Sequence, residues 1–335
     1  MEHLKRFFKA RGMFPALTAF AGLLIIFFAF SILDPNNKFF SLQNIANLLR
    51  SMSKYLLVGI GQSFILITGN IDLSIGSVVG MSAMISATLM TMGVNPVLAM
   101  LIAMACCMAV GAVNGVLVGR FRLPPFIATL GTMFVARGVA YMVNNNRNTD
   151  AIASGIGKDA ADKIQNFFYY GKTFGVYNTF WIAVILFVLF FFLLQKTRTG
   201  RHIYAIGSNL EAAKLSGVNV FAVTTKAYLV SAFCACVVGL ILCAQAGMGN
   251  MEAGTMYEMY GVAAGVLGGV SPLGGTGILL GTLAGSAVWQ TLENGLNMIG
   301  AQVGIQRLVI GVIVVASVLI EVVFRGRKFK WAKKD

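Results

Sequence analysis

Residues 196–220 read KTRTGRHIYAIGSNLEAAKLSGVNV, the longest polar interruption between two strongly apolar runs in the C-terminal half of the chain. The run before it, Phe180–Leu194, carries no charge, and the run after it, Phe221–Gly247, carries only Lys226. Runs of about 20 apolar residues recur along the whole length, and each is long enough for a helix to cross a bilayer. The sequence therefore predicts an all-α polytopic membrane protein.

The polar interruption itself contains the signals of a short helix. Ser208 or Asn209 is suited to cap its start, Glu211 lies in its first turn, and Gly217 is suited to end it. A short helix held between two spans can transmit a push from a partner protein. The alternative, a solvated loop that only maintains topology, stays open on these grounds.

Composition agrees with a membrane protein. Of the 335 residues, 57% are hydrophobic and only 11% are charged. The net charge of +14 comes from 26 basic against 12 acidic residues. In a membrane protein this excess is first a topology signal, so no nucleic-acid partner is expected.

About ten transmembrane helices are predicted. They lie at Phe14–Leu33, Tyr55–Thr68, Leu73–Met92, Pro96–Gly119, Phe126–Val143, Phe180–Leu194, Phe221–Ala246, Met256–Val270, Thr276–Met298 and Ile305–Val323. A separate amphipathic helix on the membrane surface is expected at Ser41–Lys54, because its apolar residues share one face. The eighth run is too short for a simple crossing, so we expect it to be broken or tilted.

The basic residues predict the orientation. Ten spans put both termini on one side, and most of the 26 Lys and Arg residues fall in that side's segments when it is the cytoplasm. Residues 196–220 are then cytoplasmic. Residues 144–175, the only long hydrophilic loop, face the other side.

An internal repeat is suggested at an offset of 180 residues. Asn114-Gly115 recurs as Asn294-Gly295, and Gly131 recurs as Gly311. We predict one permease domain, 1–335, with five-helix copies at 1–143 and 176–335. Five spans separate the copies, so the second would be inverted. A chance match in a glycine-rich chain is the alternative.

Polar residues inside the spans are the candidates for a translocation path, since their burial in a bilayer needs a reason. Residues 67–77 read ITGNIDLSIGS, either an unwound joint lining that path or a simple turn in which Asp72 and Ser74 cap the next helix. The candidates in the whole chain are Asn70, Asp72, Ser74, Arg137, Glu293, Asn294 and Asn297. Hydrogen bonding within the bundle is the alternative for the last four.

Motifs for catalysis or for a bound cofactor are missing. The two histidines, His3 and His202, lie in polar segments, and the five cysteines lie in apolar runs as packing residues rather than metal ligands or disulfides. The glycine-rich residues 261–285 lack the Lys-Ser/Thr of a nucleotide loop and favour close helix packing. We expect neither an enzyme nor a resident cofactor.

Four long stretches, in a fixed order, carry a family resemblance. They are ITGNIDLSIGSVVG (67–80), PPFIATLGTMFVARGVAY (124–141), GRHIYAIGSNLEAAKLSGVNV (200–220) and GVLGGVSPLGGTGILLGTLAG (265–285), followed by ENGLN (293–297). Together they resemble the ribose-type branch of the permeases of ATP-binding-cassette (ABC) importers. Two positions depart from the family pattern: Tyr260 stands where an Asp is usual, and Gly69-Asn70 where a glycine pair is usual.

The resemblance implies a multi-pass subunit of the bacterial inner membrane that pairs as a homodimer beneath a periplasmic sugar-binding protein. Two cytoplasmic ATPase subunits, which bind ATP and Mg, would power import of a monosaccharide or similar small polar solute. The segment 196–220 would be the coupling segment. Its matching residues are Gly207, Asn209, Glu211, Ala212, Ala213 and Gly217.

A second function class stays open, an ion-coupled secondary transporter or channel. It would need titratable groups deep in the bundle. Asp72 and Glu293 are the only candidates, and both are predicted near span ends.

Overall fold

The computed structural model describes residues 13–35, 38–309, 311–313, 315–316 and 319, most of them helical. The helices are α1 (Met13–Leu33), α2 (Leu42–Ile67), α3 (Ile75–Thr91), α4 (Pro96–Gly119), α5 (Pro125–Met142), α6 (Ala153–Ile156), α7 (Lys158–Gln165), α8 (Asn178–Lys196), α9 (Arg198–Ser208), α10 (Leu210–Leu215), α11 (Val220–Ala246), α12 (Tyr257–Leu267), α13 (Leu279–Met298) and α14 (Val303–Ile313). A π-helical turn at Asn166–Tyr170 and the antiparallel strands β1 (Lys172–Thr173) and β2 (Val176–Tyr177) complete the described elements.

Five of the described helices, α1, α4, α5, α8 and α11, are long and apolar enough to cross a membrane. This confirms the prediction of a polytopic helical membrane protein. The predicted tenth span, Ile305–Val323, lies partly outside the described residues, so the count of ten stays a prediction.

The helices divide into an inner and an outer group. From Met52 to its last residue α2 is entirely buried, α3 is buried along almost all of its length, and α11 packs against α2, α3 and α4. The outer helices α4, α5 and α8 instead expose large apolar side chains such as Leu101, Phe134 and Phe192. This outer surface suits contact with lipid tails. Its side chains are apolar, and each helix satisfies its backbone hydrogen bonds internally.

The predicted surface helix at Ser41–Lys54 is wrong. The structure has one continuous helix, α2, that includes both this stretch and the predicted second span. Ser41 caps its start by accepting a hydrogen bond from the Asn44 backbone N–H. No glycine or proline interrupts the chain between Ser41 and Gly59, so nothing divides the helix at Lys54. Lys54 is buried, and its Nζ donates to Oε1 of Gln245, 3.0 Å away.

The two ends of the bundle carry different structures. We call the end with α9 and α10 the lower end, and the end with residues 144–177 the upper end. Residues 144–177 are not the plain loop expected from their polarity, because they contain α6, α7, the π-helical turn and the hairpin. The Thr149 N–H donates to the Gly249 carbonyl, which ties this structure to the chain after α11.

Residues 68–74, the lower re-entrant segment, run back into the bundle before α3 begins. A Cβ atom on Gly61 would lie 3.2 Å from Cδ1 of Ile75. The first residue of α3 therefore lies beside Gly61, about 9 Å along α2 from its end at Ile67. As a result α3 starts in the interior of the bundle.

Residues 247–256, the upper re-entrant segment, enter the bundle from the opposite end. Early in the segment, a Cβ atom on Gly249 would lie 2.9 Å from Cβ of Ala87. Later, Gly254 lies against the backbone of Gly76. The segment thus follows α3 for roughly 16 Å. It delivers α12 to the interior, which explains why the predicted eighth span is short.

Candidate functional site

The coupling segment, residues 196–220, forms two short capped helices. Oγ1 of Thr197 accepts from the Gly200 N–H at the start of α9, and Oδ1 of Asn209 accepts from the Ala212 N–H, 2.9 Å away, at the start of α10. The predicted helix therefore exists, and of the two candidate caps it uses Asn209. Gly217 follows α10 with a φ of 78°, a left-handed conformation that glycine adopts without strain.

Most of the candidate coupling residues lie on one exposed surface. Asn209, Glu211, Ala212 and Gly217 are exposed, whereas Ala213 is buried and anchors α10. Glu211 pairs with Lys214, and that hydrogen bond lowers the pKa of the Glu211 carboxyl.

Leu215 is the residue of this surface that sequence reasoning missed. Its side chain is 90% exposed at the end of α10. An apolar side chain so exposed, in a polar segment, is available to fill a pocket on a partner. Its position two residues before Gly217, which follows α10, was the available signal.

Gly207 joins the coupling segment to the core. It lies against the carbonyl oxygen of Ile67, and a Cβ atom there would overlap that oxygen and come within 2.6 Å of the Gly275 backbone nitrogen. The Gly275 N–H donates to the same Ile67 oxygen, 2.9 Å away. The end of α9 thus contacts both the end of α2 and residues 271–277.

Tyr204 makes a second connection. Its hydroxyl donates to the Gly277 carbonyl at 2.6 Å and accepts from Nε2 of Gln195 at 3.1 Å. Because of this bond to Gly277, a displacement of α9 would move the connection between α12 and α13. Sequence reasoning did not select this tyrosine, because a buried aromatic residue in an amphipathic helix is ordinarily a packing residue.

Asp72 and Ser74, the first group of path candidates, lie in a buried polar network. Oδ1 of Asp72 accepts from the backbone N–H and the hydroxyl of Ser74, and Oδ2 accepts from the Ser231 hydroxyl at 2.7 Å. Oγ of Ser74 accepts from Nδ2 of Asn114, whose Oδ1 accepts from the Thr132 hydroxyl.

The proposed cap at Ser74 needs a correction. Ser74 occupies the N-cap position of α3, but its side chain makes no capping bond. Its hydroxyl is engaged by Asp72 and Asn114, and Oδ1 of Asp72 accepts from the backbone N–H of Ser74 itself. Asn70 lies lower, where Nδ2 donates to the Thr68 hydroxyl.

The candidates on α13 lie at the upper end, away from this network. Oε2 of Glu293 accepts from the Tyr55 hydroxyl at 2.9 Å. Asn294 exchanges two side-chain hydrogen bonds with Asn44, and Oδ1 of Asn297 accepts from Nε2 of Gln306. These bonds tie α13 to α2 and to α14.

Arg137 occupies a third place. Its Nη1 donates to the carbonyl oxygens of Met251 and Ala253, at 3.0 and 2.9 Å. The guanidinium thereby fixes the upper re-entrant segment to α5. The structure therefore does not bring the seven path candidates together, and their role in a path stays a prediction.

The two re-entrant segments bring the first turns of α3 and α12 together. Glu258, in the first turn of α12, places a carboxylate oxygen where a Cβ atom of Gly76 would be. Only a glycine in the first turn of α3 allows this approach. Sequence reasoning did not select Glu258, because its approach to Gly76 depends on the course of both re-entrant segments.

Cysteine and metal chemistry give no further site in the described part of the chain. No three His, Cys, Asp or Glu side chains there come together to hold a metal ion. Four of the five cysteines are buried and all are free thiols, which agrees with packing roles.

Comparison with known proteins gives one family match. Residues 44–318 match the family model described as branched-chain amino acid transport system / permease component. The chain is 35% identical to the ribose import permease protein RbsC of Escherichia coli (strain K12), over 89% of this chain and 91% of the relative. It is 32% identical to the D-allose transport system permease protein AlsC of the same strain, over 89% of each chain.

A galactose-related permease matches equally broadly. The chain is 33% identical to the galactose/methyl galactoside import permease protein MglC of Haemophilus influenzae, over 93% of this chain and 94% of the relative. No solved structure matches the chain.

Proposed function

The chain belongs to the branched-chain amino acid transport system / permease component family, within its ribose-type branch, and from this we propose that it is the permease subunit of an ABC importer for a monosaccharide or a similar small polar solute. The solute would arrive on a periplasmic binding protein. ATP hydrolysis in a separate ATPase subunit, which binds the ATP and Mg, would drive its passage.

The observation that carries this proposal is the construction of the coupling segment. It presents an exposed, capped helix with Leu215 and Glu211 at the lower end of the bundle. Behind that surface, Gly207 connects it to the end of α2, and Tyr204 connects it to the chain between α12 and α13. An exposed surface rigidly joined to the interior is what an energy-supplying partner needs.

We also propose ten spans in an inverted repeat of five, in one permease domain. The helix bounds support this at the same offset of 180, since α2 corresponds to α11 and α4 to α13. The pair Gly69-Asn70 recurs as Gly249-Asn250, one pair in each re-entrant segment. The segments enter from opposite ends, as inversion requires.

The orientation follows from charge. We propose that both termini and the lower end face the cytoplasm of a bacterium, and that residues 144–175 face the periplasm, where the binding protein docks.

We further propose that two copies assemble. Met259 in α12 and Met256 just before it are exposed, and the exposed Thr255 and Glu252 extend this strip into the upper re-entrant segment. A mixed polar and apolar strip suits a second copy better than lipid. The solute path would then run between the copies.

One purification tests the proposal. The tagged chain, extracted from its native membranes in mild detergent, is expected to retain an ATPase subunit in a fixed ratio. Its ATPase activity should rise when sugar-loaded binding protein is added. Ion-driven uptake by the chain alone in vesicles, with no ATPase retained, would instead establish the secondary transporter.

A further inference from the structure

The side chain of Gln62 lies fully buried in the lower half of α2, and neither its amide nitrogen nor its amide oxygen has a hydrogen-bond partner in the described part of the chain. Burying both polar atoms without partners is unfavourable, and buried amides in folded proteins are nearly always satisfied. The side chain is therefore available to bind a group outside the described structure.

The position of Gln62 directs it toward α12. A Cβ atom on Gly261 would lie 3.3 Å from Cβ of Gln62. Tyr55 lies on the same face of α2, about two helical turns nearer the upper end. A solute that moves from the upper end toward the lower end between α2 and α12 would therefore pass Tyr55 first and Gln62 next.

Tyr55 and three aromatic side chains that surround it, from three helices in all, form what we call the aromatic cluster. Its members are Tyr55, Tyr257, Tyr260 and Trp289. The Tyr55 ring centroid lies 5.4 Å from that of Tyr260, and the Tyr260 centroid lies 5.2 Å from that of Trp289. Tyr55 and Trp289 are buried, whereas Tyr260 is only partly buried.

Glu258 adds a charged acceptor at the same level. It follows Tyr257 in the first turn of α12 and lies against Gly76, where α3 begins. It is partly buried, whereas Met259 on the same helix and Thr255 just before the helix are exposed. A solute can therefore reach this carboxylate from the exposed strip of α12.

We propose that Gln62, Glu258 and the aromatic cluster form a binding station for a neutral polyhydroxylated solute inside the permease. The amide and the carboxylate would bind hydroxyl groups, and the ring faces would pack on the apolar C–H face of the solute. The carboxylate disfavours anionic solutes such as sugar phosphates. This station rests on the proposed function and adds residues to it that the path candidates did not include.

The test compares Gln62→Leu with a matched control, Thr225→Val. Oγ1 of Thr225 is also buried and without a partner in the described structure, but it lies against Gly115, away from the station. Each variant is purified as its native complex and placed in vesicles with D-ribose, D-allose or D-galactose on the binding protein. ATPase stimulation, sugar uptake and melting temperature are measured.

For Gln62→Leu we expect uptake per ATP hydrolysed to fall about tenfold, the effect of one lost hydrogen bond. ATPase stimulation should be retained. The melting temperature should also be retained or rise, because the substitution removes a buried amide that has no partner in the described structure. Thr225→Val should match the unaltered complex. If Gln62→Leu lowers the melting temperature, Tyr260→Leu is used in its place, and its uptake per ATP hydrolysed tests the station. The Tyr260 ring is only partly buried, so its removal should disturb the fold less.

Unchanged uptake per ATP in Gln62→Leu, or in Tyr260→Leu where that variant decides, would overturn the station and leave the proposed function standing. If the unaltered complex retains no ATPase subunit and takes up none of the three sugars with ATP, both the function and the station are wrong.

Discussion

Gly207 of α9 lies directly against the carbonyl oxygen of Ile67, the last residue of α2, with no room for a Cβ atom between them. The Gly275 N–H donates to the same oxygen. Three parts of the chain therefore converge on one backbone atom. A partner that displaces α9 must also displace the start of the lower re-entrant segment and the connection between α12 and α13.

Gly207→Ala tests this contact. We predict that the added methyl group forces the backbone apart, at a cost of about 1–3 kcal/mol, and abolishes ATP-driven uptake while the ATPase still co-purifies. Gly131→Ala in α5 is the control, because nothing lies within 4 Å of its Cβ position. That change should be neutral or stabilise by about 0.5–1 kcal/mol. Normal uptake by Gly207→Ala would show that the contact transmits nothing.

Leu215→Asp tests the exposed surface of α10. We predict at least a tenfold weaker association with the ATPase subunit, because burying a leucine side chain is worth about 1.5–3 kcal/mol. Phe174→Asp is the control, since Phe174 is 93% exposed but belongs to the opposite end. Equal recovery of the ATPase with both variants would contradict a docking role for Leu215.

Asp72→Asn and Asp72→Ala separate a structural role from a role in the path. Asn retains acceptor capacity toward Ser74, and the Ser231 hydroxyl can rotate to accept from the new amide. We predict near-normal transport for Asn. Ala loses three hydrogen bonds and should be less stable by about 3 kcal/mol.

Transport measured per folded protein in membranes distinguishes the two roles of Asp72. If uptake falls in both variants while the amount of protein is unchanged, the carboxylate itself serves the path.

Asp159→Cys tests the orientation. Asp159 is exposed in α7 at the upper end, so we predict that an impermeant thiol reagent labels the variant in intact spheroplasts. Glu211→Cys at the lower end should be labelled only after permeabilisation. Both are made with Cys106→Ala, because the other four native cysteines are buried. The reverse labelling pattern would invert the proposed topology.

Local sequence signals predicted the helices well where caps and breakers were present. Asn95 precedes Pro96 at the start of α4, and Asn209 and Gly217 bound α10, so these bounds could be read directly. The surface helix failed for a complementary reason. The buried cation Lys54 was interpreted as a membrane boundary, although Gln245 of a distant helix accepts its hydrogen bond.

The candidate site was less predictable, because its relationships are between distant residues. Periodicity does not reveal that Gly207 meets Ile67, or that Glu258 meets Gly76. Gln62 lies in a buried run, and nothing local distinguishes it from a residue with partners. The path candidates Asp72, Arg137 and Glu293 were chosen only because they are polar residues in or beside predicted spans. The structure places them in three separate hydrogen-bond networks.

The hydrogen bonds from Arg137 to the upper re-entrant segment indicate an order in which the helices enter the membrane. Its acceptors lie 114 and 116 residues later in the chain, so they leave the ribosome about 6 to 23 s after the arginine. A helix as short as α12 gives the insertion machinery a weak signal. We therefore predict that α12 enters last, into a bundle already in the membrane, and that chains truncated after residue 246 are degraded faster in pulse–chase experiments than chains ending at residue 300.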